Sequence, residues 1–149
     1  MRRDVDFTKA GLFPFYLELW EKLKSIFPKH PIPFTGFGVE GPLTTAWLLR
    51  GHDFFTDLYD HPPLAKEYLA LVTASIVKYQ KLLAQINHQP ERNPLGAGVA
   101  DDGAAMIPPK LWPEFVVPFL DDYFTALTSG ARSAHIEDLR ADHLPYTAS

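Results

Sequence analysis

The stretch GVADDGAAMIPPKLWPEF, residues 98–115, carries the reading of the fold. It begins on small and apolar residues in too short a run for a helix, so residues 97–101 read as a strand. Two adjacent acids, Asp101 and Asp102, close it. A loop of small residues and the Pro108–Pro109 pair follow, and a helix begins near Lys110. Strand, acidic strand end, loop and helix make one βα unit. In α/β folds ligands gather beyond the carboxyl ends of the strands. The two aspartates therefore stand either at the lip of a site or as caps of a turn.

Downstream, Trp112, Phe115, Val116, Phe119, Leu120, Tyr123, Phe124 and Leu127 fall at helical spacing over residues 110–128. Pro118 lies inside that pattern and predicts a kink. Ser129-Gly130 ends it, ARSAHIED (131–138) reads as another strand, and LRADHLPY starts a further helix or turn.

Upstream, residues 62–87 form the longest expected helix, with Asp60 or His61 as cap and proline in the first turn. Its stripe is Tyr68, Val72, Ile76, Tyr79, Leu83 and Ile86. Residues 42–51 predict a helix entered at Pro42 and stopped at Gly51, and HDFFTDLYD continues as a short helix or turn. IPFTGFG, residues 32–38, reads as a buried strand. Residues 12–27 predict the first helix, with Leu12, Tyr16, Leu19, Trp20, Leu23, Ile26 and Phe27 on one face. Three strands alternating with helices argue for parallel pairing with right-handed crossovers. The strands lack clean alternation, which predicts burial on both faces.

Composition narrows the function classes. The chain has 149 residues, 46% of them hydrophobic and 21% charged, enough for a single domain with a real core. The net charge of −4, with no basic cluster beyond Arg2–Arg3, argues against nucleic acid and anionic membrane as partners. Without cysteine there is no disulfide, no thiolate metal ligand and no thiol nucleophile. No signal peptide or apolar span is visible, so a cytoplasmic location is the default.

Three clusters lie at expected strand ends. The first is Glu40, before the GPLTTAW turn, where it can also serve the positive end of a helix. The second is Asp101 with Asp102. The third is His135 with Glu137 and Asp138. Residues i and i+2 of a strand project to one face, so the His135 imidazole and the Glu137 carboxylate can converge, as zinc ligation by nitrogen and oxygen requires. A third ligand is not named by the sequence. Asp142 and His143 are candidates, although a solvated helix face is the simpler reading. His30, His52, His61 and His88 read as surface residues. GFGVEG lacks the lysine of a phosphate-binding loop.

FGVEGPLTTAWLLRG, DLYDHPPLAKEYLALVTASI, ADDGAAMIPPKLWPEFVVPFLDDYF and SAHIEDL, in this order over residues 34–146, together resemble the uroporphyrinogen decarboxylase superfamily. That superfamily also holds cobalamin-dependent methyltransferases acting on coenzyme M and related thiols. The resemblance implies a (β/α)8 TIM barrel with its site at the strand carboxyl ends. It puts Asp101 in the crevice as the catalytic carboxylate, with Asp102 ordering the following loop; Glu40 and Asp102 are the expected substrate or loop residues. At the position of His135-Ile136-Glu137 the methyltransferases carry His-x-Cys and bind zinc, which makes His135 and Glu137 the metal ligands here. Glu137 replaces the cysteine, and an oxygen ligand can still hold zinc. Pro108 stands where a serine is usual, and no arginine-rich segment for gripping substrate carboxylates precedes these blocks.

A barrel of this type needs about 250 residues. The expectation is therefore a partial TIM barrel, one incomplete domain over residues 1–149 with about three parallel strands. In a complete relative the implied chemistry is corrinoid-linked methyl transfer on a small-molecule substrate, with zinc and a corrinoid protein as partners. The alternative is cofactor-free porphyrinogen decarboxylation, and a further one is an inactive fragment or assembly module. Open sheet edges imply a complementary barrel half.

Overall fold

The computed structural model describes residues 5–147; the Arg2–Arg3 pair lies outside them. The fold is α/β. Its main elements are α1 (Phe13–Ile26), α2 (Pro42–Arg50), α3 (Asp53–Asp60), α4 (Pro62–Ile86), β1 (Gly96–Ala100), α5 (Trp112–Phe115), α6 (Val117–Leu127) and β2 (Ala131–His135). Short 3-10 turns cover Asp102–Met106, Pro109–Leu111 and Leu144–Tyr146. β1 and β2 pair in parallel, with Gly96 opposite Ala131 and Ala100 opposite His135. The two strands therefore end together. α5 and α6 form the crossover, as the sequence order requires.

The core lies between β1 and the helices. Leu69, Val72 and Ile76 of α4 pack with Leu43 and Ala46 of α2, Val99 of β1, and Trp112, Phe115, Phe119 and Phe124 of α5 and α6. The expected kink is a full break. Val116, at φ −117° and ψ −62°, is the distorted residue that divides α5 from α6, because Pro118 has no N–H to donate and its ring crowds the carbonyl four residues back. A second cluster joins Phe13 of α1, Phe34 and Tyr79.

Three expectations are corrected. Residues 32–38 are not a strand. Asn87 Nδ2 donates to the Phe34 carbonyl and the Phe34 N–H donates to Asn87 Oδ1; the Phe37 N–H donates to the Tyr79 hydroxyl. Side chains of α4 and of its C-cap Asn87 thus take over hydrogen bonds a neighbouring strand would supply, and the sheet described has two strands. β2 is exposed along its whole length rather than buried on both faces, because in the described structure nothing covers its outer side. It also ends at His135, short of residue 138.

The first helix keeps its bounds but not its inward face. Phe13 is buried, whereas Leu12, Leu19, Ile26 and Phe27 are exposed. The apolar arc is wider than one contact, and only the part nearest Phe34 and Tyr79 is covered. Neither Asp60 nor His61 gives α4 a side-chain cap. His30, His52, His61 and His88 are exposed as expected. Among the described residues, no helix is long and apolar enough to cross a membrane.

Candidate functional site at the strand ends

The parallel register brings the two strand exits side by side. The Asp101 N–H donates to the His135 carbonyl at 2.9 Å. One step further, the Glu137 N–H donates to Asp102 Oδ1 at 2.8 Å. Asp102 thus ties the loop after β1 to the loop after β2. The chain then turns at Asp138, whose φ of 60° is left-handed, a conformation aspartate tolerates better than most residues.

Asp102, His135 and Glu137 each offer one ligand atom, and the three atoms lie within 4.8 Å of one another. His135 Nε2 is 3.4 Å from Glu137 Oε1, and both side chains are exposed. One imidazole nitrogen and two carboxylate oxygens form a donor set that zinc accepts. Beside it opens a cavity of about 400 Å³, lined by His135, Ser133, Val99, Val39, Gln80 and Tyr123 among others.

Asp101 occupies a different environment. Its side chain is fully buried. Oδ1 accepts from the Thr44 N–H and the Thr44 hydroxyl, and Oδ2 accepts from the Leu43 N–H. These are first-turn amides of α2, which lack partners within the helix, so a carboxylate just past β1 caps a helix more than fifty positions earlier in the chain. Burial pushes the Asp101 carboxyl up to about 6, against the pull of the Thr44 and Leu43 hydrogen bonds; nearby Glu40 pushes the same way as burial. Gly41 is required beside it, because a Cβ there would sit inside contact distance of the carboxylate.

Glu40 is exposed just ahead of α2 and is not among the three converging ligands. His143 corrects the solvated-face reading. It is fully buried, with Nδ1 accepting from the Arg140 N–H at 3.1 Å and Nε2 3.2 Å from the Ile107 carbonyl. Its ring packs 5.0 Å from that of Trp112. Both nitrogens are occupied, so it is a core residue and not a ligand. Asp142 is exposed beside it. Sequence reasoning left the third ligand unnamed. Asp102 brings a third candidate ligand atom to the pair, and the signal was its adjacency to a strand end parallel to that of His135.

The molecule is thus an α/β protein with a polar cluster at the carboxyl ends of two parallel strands. No family model matches the chain, and no curated protein does. Among solved structures it is similar in fold to a methyltransferase from Methanosarcina mazei. The TM-score is 0.70 at 20% identity, over 95% of this chain and 40% of that one. At that identity the likeness is one of fold, and the chain spans 40% of that protein's length.

Proposed function

We propose that this chain forms one flank of a (β/α)8 barrel of the uroporphyrinogen decarboxylase and methyltransferase type, and that its strand-end cluster is a metal site for methyl transfer. The observation that carries the reading is the convergence of Asp102, His135 and Glu137 within 4.8 Å at the ends of paired parallel strands. The fold of the Methanosarcina methyltransferase supports it coarsely.

Asp102, His135 and Glu137 would hold the metal. Zinc bound there supplies Lewis acidity that stabilises a coordinated thiolate or hydroxide near neutral pH. The cavity beside His135 would receive the small-molecule substrate, and its Val39 and Val99 walls would exclude water. Asp101 has a positioning role, since it holds α2 against the exit of β1. The exposed β2 would pair with a further strand of the completed barrel, and a corrinoid protein would approach from the strand-end side.

Zinc titration into chelator-stripped protein, followed by calorimetry, tests the reading. One zinc per chain is expected, with His135→Ala weakening binding at least about tenfold. A wild-type chain that binds no zinc, or a variant that binds as well as wild type, overturns it. Losing the metal would leave decarboxylation or an inert module as the surviving alternatives.

A further inference from the structure

α1 carries two apolar faces, and the fold uses one. Phe13, Tyr16, Leu17 and Trp20 belong to the aromatic cluster against Phe34 and Tyr79. The other face holds Leu12, Phe15, Leu19 and Ile26, which are 64%, 59%, 40% and 56% exposed. Their spacing of three, four and seven residues is that of a coiled-coil seam. Lys22, between Leu19 and Ile26, lies at the edge of the stripe on the side of Glu18. An apolar stripe of this kind, rimmed by charge, marks an interaction surface.

The charges beside the stripe say which partner fits. Glu18 and Lys22 are exposed one turn apart on the same flank, and among the described residues neither side chain has an ion pair. Glu21, further round the helix, is already engaged by Lys24. If two copies of α1 pair in parallel and in register, the two-fold axis runs along the helices and sets this flank of one copy on the side opposite that of the other, so Glu18 and Lys22 make no cross-helix pair. If they pair antiparallel about a two-fold axis at Leu19, Lys22 of each copy comes within about 3 Å, along the axis, of Glu18 of the other. Two symmetric ion pairs then flank an apolar seam of Leu19 on Leu19, with Leu12 meeting Ile26.

We propose that the exposed face of α1 is a self-complementary surface on which a second copy of this chain docks antiparallel. The inference is independent of the strand-end cluster. One helix pair is smaller than a standard interface of about 1,600 Å², so the dimer forms in a concentration-dependent equilibrium.

Sedimentation velocity of the 149-residue chain over rising concentration reads this directly. A monomer–dimer equilibrium is expected, shifted at least about tenfold toward monomer by Leu19→Glu. Glu18→Lys or Lys22→Glu alone weakens the dimer, and the double swap restores it. Because the chain has no cysteine, Leu19→Cys oxidises to a covalent dimer, whereas Leu95→Cys, 84% exposed but off the seam, does not. A chain monomeric at about 200 µM, a dimer indifferent to Leu19→Glu, or a double swap that recovers nothing overturns the proposal. A longer chain that stays monomeric because its own further segments cover α1 overturns it as well.

Discussion

Asp101 Oδ1 accepts two hydrogen bonds from a single residue, Thr44: one from its N–H at 2.6 Å and one from its hydroxyl at 2.8 Å. The hydroxyl oxygen in turn accepts from the Gly103 N–H at 2.8 Å. Strand end, helix start and following loop therefore meet on one carboxylate.

Asp101→Asn tests that junction. The amide keeps the shape, but its NH2 group faces N–H donors, leaving at least one buried donor without an acceptor. The expected loss is about 1–3 kcal/mol of folding stability, read by urea denaturation with chelator present. A change within error would mean that the carboxylate does not hold α2.

The same residue sets a pH dependence. Its folded pKa of about 6 lies above the ordinary 3.8, so the folded chain binds this proton more tightly than the unfolded one. The contribution is fully present below about 3.8 and is lost as pH rises through about 6. Asp6 and Asp57, held low chiefly by hydrogen bonds from Thr8 and Arg50 respectively, act in the opposite sense and are common to both proteins. The stability of wild type relative to Asp101→Asn should thus fall by about 2 kcal/mol between pH 4 and 7. Parallel curves for the two proteins over that range would contradict this.

His143→Ala should destabilise without touching the Asp102, His135 and Glu137 cluster. It strips the Arg140 N–H of its acceptor and opens space beside Trp112, at a cost of about 2–4 kcal/mol. Zinc affinity per folded molecule should equal wild type. A loss of affinity with stability retained would return His143 to the ligand set.

Tyr79→Phe probes the segment at residues 34–37. The Tyr79 hydroxyl receives the Phe37 N–H at 2.6 Å, so its removal should cost about 1–2 kcal/mol. Amide exchange should quicken at Phe37 and not at Val99 of β1. Equal protection at Phe37 in both proteins would show that another acceptor replaces the hydroxyl.

Local chemistry was legible wherever a single element decides its own form. The Pro62–Ile86 helix, the break ahead of Pro118 and the strand beginning at Gly96 follow from periodicity and from the missing proline N–H. His135 and Glu137 do converge, but Glu137 lies past the end of β2, where its N–H is held by Asp102 rather than by strand alternation. Residues 32–38 were misread because extended backbone needs partners for its N–H and C=O groups, and sequence does not say whether a strand or an α4 side chain provides them. The first helix was misread because periodicity finds apolar residues without saying which neighbour covers them.

The sequence by itself therefore determined the helices, the two strands that pair, their parallel sense and the residue types at the strand ends. Tertiary structure alone decided what each acid does. Asp101 and Asp102 are neighbours with the same side chain, yet the turn after β1 buries one beneath the α2 amides and leaves the other beside His135 and Glu137. A carboxylate takes its role from the donors and the solvent around it, and those are fixed only when distant parts of the chain have packed.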